Sequence, residues 1–191
     1  MKELLKKVTE GQNLTREEAA KAMDMMLEGT ASPVLVSAFL TALRMKGETV
    51  DEIVGCTEMM KSKGGSVKLD TDEYIDFVGT GGDGANSFNI STTSMFVCAA
   101  AGVTVAKHGN RAASSKSGAS DLLEALGANI MLEPKQVEQC INETGMGFMN
   151  AMKFHKAMKN VGPIRKEIGI RTIFNMLGPL SNPSNASRQV I

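Results

Sequence analysis

The sequence predicts an α/β fold in which a small helical N-terminal domain precedes a parallel-type sheet. Helix-start signals punctuate the first 65 residues, whereas short β-type runs alternate with helical segments after residue 70. Helices that connect strands in this way make right-handed crossovers, which set the strands parallel. We therefore expect a helical domain over residues 1–70 and the first part of an α/β domain over residues 71–191.

The helices of the first domain are predicted from their capping residues. The pairs Thr15–Glu18 and Thr49–Glu52 match the capping box, in which each side chain satisfies a free backbone N–H at a helix start. Between them, Ser32-Pro33 starts another helix, because serine caps and proline at the first helical position loses no hydrogen bond. The segment Val34–Met45 is apolar almost all round, so we expect it to be buried, with a second subunit as a candidate partner.

The second domain contains four β-type runs. They are Ile75–Val78, Val103–Ala106, a run near Gly147–Met149 and the last residues Arg188–Ile191. Helices are predicted at about residues 92–101, 121–126 and 136–143, with short helices around Ala157 and Ile164. Arg171–Pro183 has the composition of a rigid, proline-punctuated connection. The β-type run that begins at Arg188 stops after four residues, where the sequence ends. We therefore expect an incomplete sheet and a truncated chain.

Composition and charge narrow the class of protein. Lys+Arg and Asp+Glu both count 21, and a net charge of zero disfavours a protein that coats nucleic acid. Any phosphate site must therefore be local. The N-terminus lacks the apolar stretch of a signal peptide, and no apolar run is long enough to span a membrane. Three scattered cysteines favour free thiols in a reducing cytoplasm over disulfides or a zinc site.

The first predicted strand runs directly into the glycine-rich loop Gly79–Gly84. Glycines let the backbone approach an anion, and exposed N–H groups before a helix suit phosphate or pyrophosphate. Asp83 suits a ribose hydroxyl or a magnesium-bound water instead. Asn89–Thr93 follows, with side chains that cap a helix or bind a terminal phosphate, and Ser91 is a candidate magnesium ligand. The alternative is a glycine-rich turn that merely closes the strand.

The second predicted strand runs into Lys107–Arg111, which we expect to be a ligand-binding loop. Two cations, an imidazole and an amide flank a glycine at a strand's carboxyl end, where α/β proteins bind ligands. Ser114, Ser115, Lys116 and Ser117 extend this polar lining. A solvated surface loop is the alternative.

Two later residues are further candidates. Arg165 suits a carboxylate substrate, because guanidinium binds carboxylate through two parallel hydrogen bonds, although it could equally pair with Glu167. His155 is either a polar residue on a connecting segment or a substrate contact.

Four motifs in register closely resemble the anthranilate phosphoribosyltransferases. They are Gly79–Asp83, Asn89–Thr92, Lys107–Arg111 and Arg171–Pro183, and their order and spacing agree with that family across essentially the whole chain. The family is similar in fold to the nucleoside phosphorylase type of phosphoribosyltransferase. The resemblance implies a small helical domain facing an α/β domain across a cleft, with residues 171–183 returning toward the helical domain. It also implies a homodimer formed through the helices before residue 65.

The resemblance implies transfer of the phosphoribosyl group of phosphoribosyl pyrophosphate (PRPP) to anthranilate, a step of tryptophan biosynthesis. The products are N-(5-phosphoribosyl)anthranilate and pyrophosphate, and no protein nucleophile is expected. The implied magnesium ligand is Ser91, and the implied anthranilate contacts are Gly79, Asn110, Arg165 and His108. The implied PRPP contacts are Gly79, Gly82, Asp83, Ser87, Asn89, Ile90, Ser91, Thr92, Lys107, His108, Gly109, Asn110, Arg111, Ala112, Ala113, Ser114, Ser115 and Ala119.

The chain departs from the family's pattern in two places. The family usually reads Gly-Ser-Ala-Asp where this chain reads Gly118-Ala119-Ser120-Asp121, which moves a hydroxyl by one residue. The family's acidic Asp-Glu pair, which completes magnesium binding, lies downstream of residue 191. We therefore expect weak substrate binding at most, and no catalysis, by this chain alone.

Three other interpretations stay open at this point. A pyrimidine nucleoside phosphorylase shares the fold and has similar glycine and Lys-His loops, but Arg171–Pro183 and the pair Asn110 and Arg165 favour anthranilate. A non-catalytic nucleic-acid-binding paralogue is disfavoured by zero net charge and intact loops. The third is a folding or dimerisation unit without chemistry.

Overall fold

The computed structural model describes residues 1–80, 88–111 and 117–191. Predicted site residues Gly82, Asp83, Ser87 and Ala112–Lys116 lie outside these ranges. Contacts divide the chain into two compact units, one of residues 1–64 and 155–181 and the other of residues 65–154 and 182–191. We call them the helical unit and the α/β unit. The roles predicted for the two domains, dimerisation and PRPP binding, stay predictions.

The helical unit contains six α-helices among its residues, all of which are described. They are α1 (Lys2–Thr9), α2 (Arg16–Leu27), α3 (Pro33–Lys46), α4 (Val50–Ser62), and, after the α/β unit, α9 (Gly162–Ile168) and α10 (Phe174–Leu180). A 3-10 helix over Lys156–Asn160 precedes α9. The short helices expected around Ala157 and Ile164 are thereby confirmed.

The predicted capping boxes form as expected. The hydroxyl of Thr15 accepts from the Glu18 N–H, and the Glu18 carboxylate accepts from the Thr15 N–H. Thr49 and Glu52 make the same reciprocal pair at the start of α4. Gly55 lets α4 approach the start of α2, because a Cβ there would collide with the Arg16 carbonyl. Local capping therefore sets the helix starts, and a small residue sets their close contact.

Helix α3 is buried on one face only, so the expectation of burial all round is wrong for the single chain. Val36, Phe39, Leu40 and Leu43 lie in the apolar core, each about 1% exposed. The two end residues, Val34 and Met45, are 78% and 83% exposed, because no other helix of the unit covers that side of α3.

The predicted rigid connection Arg171–Pro183 contains a helix that its prolines did not indicate. Residues Phe174–Leu180 form α10, and Phe174 and Leu177 bury their side chains in the core of the helical unit. Pro179 lies inside this helix near its end. The apolar spacing of these residues outweighs the helix-breaking tendency of proline in the last turn.

The α/β unit is a four-stranded parallel sheet in the order β3-β2-β1-β4. Its strands are β1 (Tyr74–Phe77), β2 (Thr104–Gly109), β3 (Met146–Asn150) and β4 (Gln189–Val190). The helices between them are α5 (Ile90–Ala100), α6 (Ala119–Ala125), α7 (Pro134–Thr144) and α8 (Ala151–Phe154). The predicted α/β fold with a parallel sheet and a helical N-terminal part is confirmed.

Alternate residues of β2 face two separate apolar clusters. Val105 packs with Phe77 and Met95 on the α5 side, and Ala106 packs with Val137 and Ile141 of α7 on the other. Both faces of the sheet are therefore covered, as is usual for parallel sheets.

Strand β2 extends further than predicted. Lys107, His108 and Gly109, expected in a loop, belong to the strand because they pair with Phe148, Met149 and Asn150 of β3. The ligand loop after β2 thus begins at Asn110. No helix within the described ranges is long and apolar enough to cross a membrane.

Candidate functional site

The two predicted ligand loops begin at the same edge of the sheet. Gly79 and Thr80 follow β1, and Asn110 and Arg111 follow β2, the neighbouring parallel strand. Carboxyl ends of parallel strands lie side by side, and ligands of open α/β sheets bind beyond them. The structure therefore brings the starts of both loops together within the α/β unit.

Asn89 joins the helix start that follows the first loop to the end of the second loop. Its side-chain amide donates to the Ser117 hydroxyl at 3.1 Å and to the Gly118 carbonyl at 3.3 Å. Its carbonyl accepts the Thr93 N–H at 2.9 Å, so the same residue starts α5. The sequence predicts Asn89 as a helix cap or a ligand contact. Asn89 occupies the cap position of α5, but its side chain caps no N–H and bridges to the end of the second loop instead.

Two buried hydroxyls lie in the first turns of the helices after the loops. Thr92 in α5 is 1% exposed and Ser120 in α6 is 0% exposed. Neither hydroxyl has a hydrogen-bond partner among the described residues. Buried polar groups are nearly always satisfied, so an unsatisfied one calls for a ligand, a water or an ion. The hydroxyl of Ser120 is the one that the departure from the family's pattern displaces by one residue.

The start of α6 is fastened to the end of β2. The Ser120 N–H donates to the Asn110 carbonyl at 3.3 Å. A Cβ on Gly109 would lie 3.2 Å from the Ala119 Cβ and 2.8 Å from the Phe148 ring, so only glycine allows this approach. Gly109, Asn110 and Ala119, all predicted site residues, are therefore neighbours.

Lys107 is a buried cation, 2% exposed, at the carboxyl end of the sheet. Its ammonium donates to the carbonyl of Phe77, the last residue of β1. Burial lowers the pKa of Lys107 to about 8, and the nearby carboxylate of Asp76 opposes that shift. The side chain therefore carries its charge at neutral pH and is close to losing it.

Asp76 faces the same end of the sheet and was not among the predicted site residues. Its carboxylate, in a residue 0% exposed, accepts the His108 N–H at 3.0 Å and the Gln189 side-chain amide at 3.1 Å. Burial raises the pKa of Asp76, and hydrogen bonds from Asn182, His108 and Gln189 oppose the rise. Its position between Ile75 and Phe77 in an apolar run was the signal that could have indicated it.

Arg111 forms salt bridges with two carboxylates of α6. Its guanidinium donates to Asp121 at 2.8 Å and to Glu124 at 2.8 Å, and both acceptors are partly exposed. The Asn110 side-chain oxygen accepts the Arg111 N–H at 2.8 Å. These bonds order the start of the second loop.

Arg165 lies in the helical unit, with its guanidinium carbon 5.0 Å from the centroid of the Phe174 ring. Burial lowers the pKa of this half-buried side chain. The alternative pairing with Glu167 does not form, and no carboxylate of the described chain pairs with Arg165. In the same unit, the His155 ring lies 3.1 Å from the Ser181 carbonyl, and burial lowers its pKa.

Comparisons with known proteins place the chain among glycosyl transferases. Residues 2–64 match the family model described as "Glycosyl transferase family, helical bundle domain". Residues 71–191 match the model described as "Glycosyl transferase family, a/b domain". The two matches cover the helical N-terminal part and the α/β part in the order that the sequence predicted.

Individual relatives carry a more specific name. The chain is 56% identical to an anthranilate phosphoribosyltransferase of Acetivibrio thermocellus over 100% of its own length and 55% of the relative's. The anthranilate phosphoribosyltransferase of Thermus thermophilus superposes with a TM-score of 0.91 at 45% identity, over 98% of this chain and 57% of that one. The enzyme of Saccharomyces cerevisiae in complex with PRPP and Mg gives a TM-score of 0.82 at 33% identity, over 90% and 51%.

These matches confirm the resemblance that the four motifs indicated. The chain spans about half the length of the curated relatives it matches. Both family models match it in sequence order, and the second alone covers well over half of its residues. The chain therefore belongs to the glycosyl transferase family that combines a helical bundle domain with an α/β domain.

Proposed function

We propose that this protein transfers the phosphoribosyl group of PRPP to anthranilate, giving N-(5-phosphoribosyl)anthranilate and pyrophosphate in tryptophan biosynthesis. The observation that carries the proposal is the pair of loops at the carboxyl ends of β1 and β2, joined through Asn89. Thr92, in the first turn of the helix that follows the first loop, has a buried hydroxyl without a hydrogen-bond partner among the described residues. The names of the similar proteins supply the substrate class.

PRPP is proposed to lie against both loops. The first turn of α5, an eleven-residue helix, presents the positive end of the helix dipole to the pyrophosphate. Lys107 supplies a buried positive charge at the same edge. The proposed contacts within the described ranges are Gly79, Asn89, Ile90, Ser91, Thr92, Lys107, His108, Gly109, Asn110, Arg111 and Ala119. For Arg111, which already pairs with Asp121 and Glu124, we propose contact through the backbone.

Ser91 is proposed as the one magnesium ligand within the described ranges. Its hydroxyl is a hard oxygen donor in the first turn of α5, and it fits the oxygen coordination that magnesium prefers. The described residues hold no group of three or more His, Cys, Asp or Glu side chains that could bind a metal. Bound with pyrophosphate oxygens and water, magnesium would neutralise the charge of the leaving group.

We propose that Arg165 in the helical unit binds the carboxylate of anthranilate. Gly79, Asn110 and His108, which belong to the α/β unit, stay the other proposed anthranilate contacts. The guanidinium of Arg165 is half-buried over Phe174 and lacks a carboxylate partner among the described residues. Where water is excluded, the attraction between the guanidinium and a carboxylate is stronger. The planar guanidinium can donate two parallel hydrogen bonds to that carboxylate.

The reaction requires positioning and charge stabilisation. Lys107 stabilises negative charge on the departing pyrophosphate, while the ribose carbon gains oxocarbenium character. The aromatic amine of anthranilate forms a bond to the ribose carbon as the carbon–oxygen bond to pyrophosphate breaks, and the amine then loses one proton to water. Because an aromatic amine next to a carboxylate is weakly basic, no strong general base is needed.

We further propose that the protein acts as a homodimer in the cytoplasm. Val34 and Met45 of α3 and Val50 of α4 expose apolar surface in the single chain, which a second copy would cover. Cys56, Cys98 and Cys140 are free thiols, as a reducing compartment favours. Light scattering at increasing concentration is expected to give twice the mass of the chain, and a monomer at every concentration would contradict the proposal.

Three assays on the purified chain distinguish the proposed function from its alternatives. Anthranilate fluorescence is followed with PRPP and magnesium, uridine phosphorolysis is followed by absorbance, and RNA binding is measured by gel retardation. Binding of PRPP and anthranilate is measured alongside by calorimetry, because the chain spans about half the length of its relatives. We expect weak binding of PRPP and anthranilate without detectable turnover by this chain alone, and no binding of RNA or uridine. Uridine phosphorolysis, or RNA binding without PRPP binding, would contradict the proposal.

A further inference from the structure

The backbone pairing of β1 and β2 stops before either strand ends. The pairs Tyr74–Thr104 and Ile75–Val105 are in register, and no later pair of these two strands follows. On its other edge, β1 pairs with β4 through Asp76–Gln189 and Phe77–Val190. Strand β2 continues its pairing with β3 up to Gly109. The sheet is therefore split between β1 and β2 over its last residues, at the edge where the two loops begin.

Side chains form the hydrogen bonds to the backbone groups that lack a partner on the neighbouring strand where the sheet is split. A continued parallel ladder would join the Phe77 carbonyl to the His108 N–H, and the Ala106 carbonyl to the next N–H of β1. Instead, the Phe77 carbonyl accepts from the Lys107 ammonium, and the His108 N–H donates to Asp76 at 3.0 Å. The Ala106 carbonyl accepts from the Asn182 side-chain amide at 3.0 Å.

The three side chains that fill the split, Asp76, Lys107 and Asn182, are called here the polar plug. They are 0%, 2% and 2% exposed, so their bonds are shielded from water. The plug is reciprocal, because β1 supplies a carboxylate to the backbone of β2 and β2 supplies an ammonium to the backbone of β1. Asn182 is held in turn by Ser184, whose N–H and hydroxyl both donate to its side-chain oxygen at 2.8 and 2.7 Å.

We propose that Asp76 is a positioning residue, which through the polar plug fixes the separation of the two loops and holds the Lys107 ammonium at the phosphate site. The role rests on the proposed function, because the loops are those assigned to PRPP. The bonded groups lie two residues before the first loop residues, since Phe77 precedes Gly79 and His108 precedes Asn110. A change in the plug therefore moves both loop starts directly.

The charge of Asp76 also acts on Lys107. Among the described residues, Asp76 is the charged group whose field reaches Lys107, and it opposes the fall of the Lys107 pKa to about 8 that burial causes. Without that carboxylate, burial acts alone and the Lys107 pKa falls further. The ammonium would then lose its proton at a lower pH, and with it the attraction for pyrophosphate.

The test compares the wild-type chain with Asp76→Asn, which keeps an acceptor for the His108 N–H but removes the charge. Asp72→Asn is the matched control, since Asp72 is an exposed carboxylate shortly before the same strand. The titration of Lys107 is followed by NMR with ¹³Cε-labelled lysine, the signal being assigned from its absence in Lys107→Arg. Pyrophosphate affinity is measured by calorimetry across the same pH range.

We expect the wild-type Lys107 signal to titrate near pH 8, below the surface lysines, and to move to lower pH in Asp76→Asn but not in Asp72→Asn. Pyrophosphate affinity should fall about tenfold in Asp76→Asn near neutral pH, and its loss at high pH should begin earlier. The role of Asp76 is overturned if Lys107 titrates at the same pH in Asp76→Asn as in the wild type. It is also overturned if Asp76→Asn binds pyrophosphate as tightly as the wild type does. Absence of pyrophosphate binding in the wild type itself would contradict the proposed function.

A measurement on the wild type alone covers the case in which Asp76→Asn does not fold. The His108 amide is expected to exchange slowly with solvent, because its hydrogen bond to Asp76 is buried. A His108 amide that exchanges as fast as those of exposed loops, or a Lys107 signal that titrates with the surface lysines, overturns the proposal.

Discussion

The anthranilate contact assigned to Arg165 can be tested by removing its guanidinium. In the free chain, Arg165 packs over Phe174 and has no carboxylate partner among the described residues. Arg165→Ala therefore removes little that stabilises the fold. It removes the whole of the proposed carboxylate contact. Binding and stability should thus respond very differently to one change.

The two magnitudes follow from the contacts. Loss of a charge-assisted hydrogen-bonded pair to anthranilate costs about 2–3 kcal/mol, or roughly 30- to 150-fold in affinity. Loss of the stacking on Phe174, where the guanidinium carbon lies 5.0 Å from the ring centroid, removes a single cation–π contact. For a half-buried side chain such a contact contributes about 1–2 kcal/mol, or a few degrees in Tm for a chain of this size.

The assay titrates anthranilate into the chain with PRPP and magnesium present and follows anthranilate fluorescence. Arg165→Lys is the informative companion, because it keeps the charge but loses the planar fork, and we expect an intermediate loss. Lys166→Ala, an exposed cation on the same helix, is the matched control and should bind as the wild type does. Thermal unfolding is recorded for all four proteins.

Two results would refute this reasoning. The first is unchanged anthranilate affinity in Arg165→Ala with a weaker PRPP affinity, which would assign Arg165 to the phosphates. The second is a loss of stability as large as the loss of binding, which would assign Arg165 a structural role.

Three further predictions concern single side chains and the pH dependence of stability. Thr92→Val should leave the free chain as stable or stabilise it by about 1 kcal/mol, because it removes an unsatisfied buried hydroxyl, yet weaken pyrophosphate binding in calorimetry. Asn89→Ala should weaken pyrophosphate binding in calorimetry, since it removes the bridge between the loops. Glu52→Gln should lower the free energy of unfolding by about 2–3 kcal/mol at neutral pH, because Glu52 is 0% exposed, pairs with Lys46 and accepts two backbone N–H bonds. The pKa of Glu52 is lowered in the fold, so its contribution is present above the ordinary carboxyl pKa and is lost as the pH falls through the folded value. Denaturation should therefore show the difference from wild type narrowing in acid, and a difference that widens there would contradict the assignment.

Local features of the fold could be predicted from the sequence. The capping boxes at Thr15 and Thr49 depend on residues three positions apart, and both formed as expected. The end of β2 and helix α10 were missed because tertiary contacts decide them. Lys107–Gly109 becomes strand by pairing with β3, and Phe174 draws a proline-containing segment into a helix by burying its ring.

The candidate site was predictable in its motifs and not in its contacts. The sequence placed Asn89 and Lys107 near one edge of the sheet, because parallel strands end together. It carried no sign that Asn89 bonds the end of the second loop or that Lys107 bonds the end of β1. Asp76 was missed because its role depends on hydrogen bonds to the neighbouring strands, which the sequence does not show.

The central claim is that PRPP binds at the two loop starts of the α/β unit. The most direct test is amide NMR of the chain titrated with PRPP and magnesium. We predict that the largest shift changes fall on Asn89–Thr92 and His108–Arg111, and that Thr92 and Asn110 respond at the same PRPP concentration. Shift changes confined to exposed lysines, or none at α5 and the end of β2 while PRPP binds elsewhere, would contradict the account.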